Sequence, residues 1–197
     1  MSKPIRDLNS SEHSLIGKII ADGFADDPVN LWAFQSTEAM EPVFTTMAQH
    51  LYLKNGFGHV NTAGNAGALW LPPDVPKQFS FLADAKMGSV IFRNGGLEAV
   101  KNSLQIDRFL KKKKPLAPHY YLFAISVHPS LQGKGVGSQL MKEALKQVDT
   151  AQMPAYLESS KPDNFPFYQK HGFEVMEEVT PGTGAPPMWL MWRESRC

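Results

Sequence analysis

The sequence predicts a mixed α/β domain built on one mixed sheet, and three observations carry that expectation. HYYLFAISV, residues 119–127, is almost continuously apolar and rich in aromatic and branched residues, the pattern of a strand buried on both faces. Directly after it, LQGKGVGSQLM, residues 131–141, reads as a glycine turn opening a helix. In that helix Val136, Leu140, Met141, Ala144, Leu145 and Val148 form one apolar face, with Lys142, Glu143 and Lys146 turned away. Along the rest of the chain, helical and strand periods alternate with no repeat, low-complexity tract or linker, so residues 1–197 read as a single domain.

In chain order, Ser10 or Ser11 is a plausible N-cap for a first helix carrying Leu15, Ile19, Ile20 and Phe24, closed by Pro28. Met40, Phe44, Met47 and Leu51 mark a second helix from Thr37 to Lys54, with Gly56 just beyond its end. GHVNTAGNAGALWLPP predicts two short strands around a Gly/Asn turn, stopped by prolines. Residues 76–110 are mainly helical in pattern, interrupted at Asn94, Gly95 and Gly96. PAYLESS predicts another strand, followed by a short helix near Pro166 to His171. GFEVMEEV and PMWLMWR predict a closing strand pair joined by TPGTGAPP.

With 43% hydrophobic residues and 20% charged ones, the chain has material for a real core. A net charge of +1 gives no electrostatic reason to expect nucleic acid or an anionic membrane as partner. The sole cysteine, Cys197, excludes an internal disulfide framework and suits a reducing, cytoplasmic setting. The polar N-terminus lacks a signal-peptide core, and no apolar run is long enough to span a bilayer. None of the six histidines forms a pair at metal-ligand spacing, so no metal is expected.

The glycine loop fits neither familiar phosphate motif. A Walker loop would place Ser or Thr after its lysine, but Gly135 follows Lys134. A dinucleotide fingerprint would place a third glycine where Ser138 stands. What remains is a strand, a loop unblocked by side chains and a helix N-terminus, where free N–H groups and the helix dipole converge. That arrangement suits a pyrophosphate; the same glycines would also serve a tight strand-to-helix turn.

Gln132-x-x-Gly135-x-Gly137, between a buried strand and an amphipathic helix, resembles the cofactor-binding motif of the GNAT superfamily of N-acetyltransferases. From Tyr120 to Val175 the order AISVHPSLQGKGVGSQLM…PAYLESSKPDNFPFYQKHGFEV is similar to the puromycin N-acetyltransferase branch. The resemblance implies a mostly antiparallel sheet with one splayed parallel strand pair, flanked by helices. It also implies acetyl-CoA as co-substrate, with residues about 119–193 as its binding core and about 1–115 as the acceptor side. The backbone of Gln132, Gly133, Lys134, Gly135, Val136, Gly137 and Ser138 would hold the pyrophosphate. Ile125, Ser126 and Val127 would pair with the pantetheine arm, Asn164 would bond it, and the N–H of Val127 would polarise the thioester carbonyl.

Tyr168 matches the tyrosine that protonates the leaving thiolate; on the residues alone it is an amphipathic tyrosine packed on a sheet. Glu158 is the candidate base, with a carboxylate that merely orients the acceptor as the alternative. An alkyl amine of pKa near 10 pays roughly 4 kcal/mol to lose its proton at pH 7, which is why a base helps. Phe24, Asp27, Trp32 and Trp70 are candidate acceptor-binding residues, although the aromatics also read as core and the Asp26–Asp27 pair as a turn. Lys111 to Lys114 would meet the CoA 3′-phosphate or form a solvated helix end. The expected activity is acetyl transfer to a small-molecule primary amine in a ternary complex, by a monomer or homodimer. A protein lysine or N-terminal acetyltransferase, and a non-catalytic acyl-CoA-binding module, are the alternatives.

Overall fold

Seven strands form one sheet in the order β1-β2-β3-β4-β5-β7-β6: β1 Ile5–Asp7, β2 Phe57–Asn61, β3 Ala66–Leu71, β4 Tyr120–Val127, β5 Ala155–Ser159, β6 Glu174–Val179 and β7 Met188–Arg193. This is a computed structural model, and it describes residues 4–196; Cys197 lies outside them. Every neighbouring pair is antiparallel except β4–β5. The mixed α/β sheet with its single parallel pair is the architecture expected from the sequence.

Helices cover both faces. On one lie α1 (His13–Gly23), α3 (Met40–Met47) and α5 (Phe81–Lys113), on the other α6 (Val136–Thr150) and α7 (Phe165–Lys170). Strand alternation divides the core accordingly. Leu69, Leu71, Tyr121 and Tyr156 join Ile16, Phe44 and Met87 on the first face. Ala68, Trp70, Leu122 and Leu157 join Met141, Ala144 and Val148 on the second.

The predicted helix from Thr37 to Lys54 is a composite: a 3₁₀ turn at Thr37–Ala39, then α3, a π-helical stretch at Ala48–Tyr52 and a last turn, α4 (Leu53–Asn55). Helix α5 runs on from Phe81 to Lys113, with the predicted interruption appearing as a kink at Gly96, φ 71°. The helix α2 (Pro28–Phe34) was not expected from the sequence; Asp27 caps it and Pro28 occupies its first turn. The first helix starts later than expected, at His13 after Glu12.

Gly17 sits where α1 crosses α3. A Cβ there would lie 2.7 Å from the Cα and N of Thr45, so the helices approach through the missing side chain. Alanine ordinarily favours a helix over glycine by about 1 kcal/mol. Here overpacking against backbone outweighs that gain, and Gly17→Ala is expected to lower stability by about 1–2 kcal/mol. A lower urea midpoint at unchanged m-value would show it.

Candidate active site

The sheet opens between β4 and β5. These strands pair only at Tyr120–Ala155 and Tyr121–Tyr156. A bulge on β4 accompanies the divergence: Leu69 pairs with Ala124 and Trp70 with Leu122, leaving Phe123 as an extra residue. Bulges bend and twist a strand, and beyond this one β4 has no partner on its β5 side. The N–H of His128 donates to Asn65 O at 3.0 Å, toward β3. Alternation therefore turns the N–H groups of Val127 and Ile125 into the splay. Ser126 alternates the other way: its backbone faces β3 opposite Gly67 and its buried hydroxyl donates to Ile19 O at 2.7 Å, so it offers the splay neither.

At the wide end of the splay lies the glycine loop. Gly133 and Gly135 have φ values of 74° and 81°, left-handed conformations that favour glycine. Gly135 is the N-cap of α6. Gln139 N–H already bonds back to Gly135 O at 3.1 Å, whereas Val136, Gly137 and Ser138 occupy the first turn, whose N–H groups have no intrahelical acceptor. The Gln132 side chain donates to Val127 O at 3.3 Å, tying the loop to the end of β4. Ser138 Oγ lies 3.2 Å from His171 Nε2 and so joins α6 to the end of α7. Lys134 is exposed, and so is Asn164, whose side chain caps nothing at the start of α7.

The two residues expected to move protons lie on opposite faces of the sheet. Tyr168 belongs to the core cluster under α6 and is 9% exposed. Burial, with the Asp27 charge as a second cause, raises its phenol well above the ordinary value, so it holds its proton at neutral pH and can donate it. Glu158 points to the α5 face, into a small pocket shared with Leu110 of α5. Its Oε2 accepts a 2.6 Å hydrogen bond from Tyr121 Oη. Tyr121 in turn accepts from Lys77 Nζ at 3.0 Å. Since a phenol has one proton, the lysine bond directs that proton to Glu158.

Sequence reading missed Lys77, Tyr121, Tyr52 and His119 around this carboxylate. Glu158 acts electrostatically on Tyr52, Tyr121 and Tyr156, whose phenols burial already pushes up. The Tyr52 hydroxyl and His119 Nε2 are buried without a hydrogen-bond partner, and the Tyr156 hydroxyl is within reach of Glu158. His119 Nδ1 lies 2.6 Å from Ala117 O, which fixes the proton there. Burial lowers its pKa, so Nε2 is left as a bare acceptor. Orphaned polar groups of this kind are costly unless a water or ligand meets them.

The acceptor candidates divide. Phe24 and Trp32 are half-buried; Phe24 meets Phe44 edge-to-face at 5.8 Å, and Trp32 Nε1 lies near Gly184 of the β6–β7 loop. Trp70 does not line this side. It is 0% exposed and stacked on Phe57 in the cluster under α6, because its place in β3 turns it to the opposite face. Asp27 is no open carboxylate either, being 4% exposed. Its Oδ1 accepts from Asn30 N at 2.8 Å and Asn30 Nδ2 at 3.0 Å, and its Oδ2 accepts from Ser160 Oγ. With Lys161–Asp26 at 2.6 Å, it clasps the α1–α2 turn to the end of β5. Lys111 and Lys113 pair with Asp107 and Glu177 at 2.7 and 2.5 Å, as at a solvated helix end. Among the described residues no three His, Cys, Asp or Glu side chains converge as a metal site, and no helix is long and apolar enough to cross a membrane.

Residues 86–175 match the family model for the acetyltransferase (GNAT) domain. Over that stretch the chain is similar to the GNAT acetyltransferase domain. That match runs from α5 through the splay, the glycine loop and α7 into β6. This likeness, together with the N-acetyltransferase relative below, supports an N-acetyltransferase enzyme. The chain is 26% identical over 205 residues to an uncharacterised N-acetyltransferase of Schizosaccharomyces pombe, covering 95% of this chain and 81% of that one. Its fold is similar to a Corynebacterium glutamicum structure described as histone acetyltransferase HPA2 and related acetyltransferase. That likeness has a TM-score of 0.73 at 20% identity and covers 100% of this chain and 98% of the other. It is also similar to arylalkylamine N-acetyltransferase 2 of Aedes aegypti, with a TM-score of 0.60 at 12% identity, covering 98% and 99% of the two chains. At these identities the structural likenesses speak for the fold alone.

Proposed function

We propose that this GNAT enzyme transfers the acetyl group of acetyl-CoA to a primary amine of a small molecule by direct attack in a ternary complex. The observation that carries the reading is the splay itself, a slot through the sheet with the glycine loop at its wide end, Tyr168 on one face and Glu158 on the other. In this reading the pyrophosphate binds the N–H groups opening α6, and the pantetheine arm pairs with Ile125 and Val127 as an added strand. Asn164, free at the start of α7, bonds the arm. The thioester carbonyl accepts from Val127 N–H. The amine enters from the α5 face and gives its proton to Glu158, and the thiolate leaves toward Tyr168, which protonates it.

A small acceptor is favoured over a peptide because the acceptor side is covered. Gln105 of α5 donates to Pro181 O at 3.1 Å, which holds the β6–β7 loop down where an open groove would be needed. The order of motifs, from the glycine loop to NFPFYQKHGF, supports a place near the puromycin N-acetyltransferase branch. The acceptor itself is set by the half of the chain outside those motifs.

Thermal melts with acetyl-CoA, CoA, ATP and NAD test the donor. Free ligand at about a hundredfold excess over Kd adds about 2.7 kcal/mol, which for a chain of this size is roughly 5–10 °C in Tm. The CoA species alone are expected to give that rise. A rise with ATP or NAD and none with CoA would remove the donor site and the proposed reaction together.

A further inference from the structure

We propose that the acceptor amine carries a carboxylate close to its amino group, as an amino acid does, and that Lys77 binds it. This rests on the small-molecule acetyltransferase reading and names the class of acceptor. The pocket in front of Glu158 contains Lys77, Lys111 and Lys114 but only two carboxylates, Asp107 and Glu158. Lys111 is spoken for by Asp107 at 2.7 Å. Among the described residues, neither Lys77 nor Lys114 has a carboxylate within ion-pair distance, whereas eight other pairs are formed. His119, neutral by burial, adds no charge.

Lys77 is the informative member. It is half-buried, its ammonium 4.7 Å from the Tyr121 ring centroid and 5.9 Å from that of Phe123. Its one hydrogen bond goes to a neutral phenol. Such a cation is held by ring faces and a phenol, with no carboxylate in direct contact. The same phenol oxygen lies 3.0 Å from Lys77 Nζ and 2.6 Å from Glu158 Oε2. One negative and one positive group therefore stand on either side of a single atom at the pocket floor.

A plain amine entering as its ammonium would bring a further positive charge into a pocket where lysines already outnumber carboxylates. Glu158 would attract it, and Lys77 and Lys114 would repel it. An amine with a neighbouring carboxylate presents the opposite pole to each: ammonium to Glu158, carboxylate to Lys77. The separation of the two poles suits groups joined through one or two carbons. Leu71, Val75 and Tyr156 line the rest of the pocket and offer an apolar or aromatic remainder its contacts.

The test is steady-state acetylation by the full chain, at saturating acetyl-CoA, of amino acids and of the amines left when each loses its carboxylate. For the best acceptor, kcat/KM is expected to exceed that of its decarboxylated counterpart by about tenfold or more. Lys77→Met is expected to erase most of that ratio, chiefly through KM, and Lys77→Arg to retain it. Unchanged acetyl-CoA stabilisation of both variants confirms that they fold. If every decarboxylated amine is as good as its acid, or if Lys77→Met leaves the ratio intact, the assignment is overturned while small-molecule transfer stands. If no amine of either set is acetylated although acetyl-CoA stabilises the chain, the acceptor reading falls and takes this one with it.

Discussion

A Tyr168→Phe variant is expected to keep its affinity for acetyl-CoA and to lose turnover by about 100-fold or more. The leaving thiolate, with a pKa near 8.5, departs as an anion unless a donor meets it. Tyr168 is suited to that task by its surroundings. It is almost wholly buried, its ring meets Phe167 and Phe173 edge-on, and burial keeps its phenol protonated. Phenylalanine fills the same space, so the core cluster of Met141, Leu157 and Met191 keeps its packing. The loss should therefore fall on kcat, with the acetyl-CoA melt unchanged. Thiol release in single-turnover reactions reads the chemical step directly. A variant that releases CoA at the wild-type rate would show that another group, or water, supplies the proton.

The largest change in stability is expected from Asp149→Ala. Asp149, near the end of α6, is the ion-pair partner of Arg193 on β7, with Oδ1 2.7 Å from Nη2. Arg193 is 1% exposed, and its Nε donates to His171 O at 3.0 Å. The ion pair is close but is not aligned as a hydrogen bond, and Arg193 Nη1 has no acceptor. Removing the carboxylate leaves a buried guanidinium facing one carbonyl. Breaking a buried pair from one side costs about 3–5 kcal/mol. Since the Asp149 side chain is 37% exposed, part of that is screened, and about 2–4 kcal/mol is expected. For a chain of this length that is on the order of 10 °C in Tm. Replacing both partners, Asp149→Ala with Arg193→Met, should recover part of the loss because no unpaired charge stays buried. A double variant as unstable as the single one would mean that packing, not charge, is what Asp149 supplies.

How much of this was legible in the sequence depended on how local the signal was. The apolar strand at residues 119–127, the glycine loop and the stripe on α6 are each set by neighbours along the chain, and all three stand where the pattern put them. So does the break at Gly96. Helix α2 was missed although its signal was local: Asp27 followed by Pro28 is a helix start, yet at the end of a helical pattern it reads equally as a stop. Trp70 and Asp27 failed for another reason. An aromatic and an acid in the acceptor half say nothing about which face of β3 one takes, or that Ser160, 133 residues away, closes on the other. The bulge at Phe123 depends on register with β3, and the Lys77–Tyr121–Glu158 array joins three distant segments. Neither leaves a trace in any one window of sequence.

Only two residue pairs bond β4 to β5, so the backbone ladder that makes the sheet one object is nearly cut in half. Strands β1 to β4 form one leaf, and β5, β7 and β6 the other. The Asp26–Lys161 and Asp27–Ser160 contacts join the leaves again at the far margin. The molecule is thus built like a book held at the spine and buckled at the fore-edge. A co-substrate lying between the leaves would be the missing page, finishing a hydrogen-bond ladder that the polypeptide leaves incomplete.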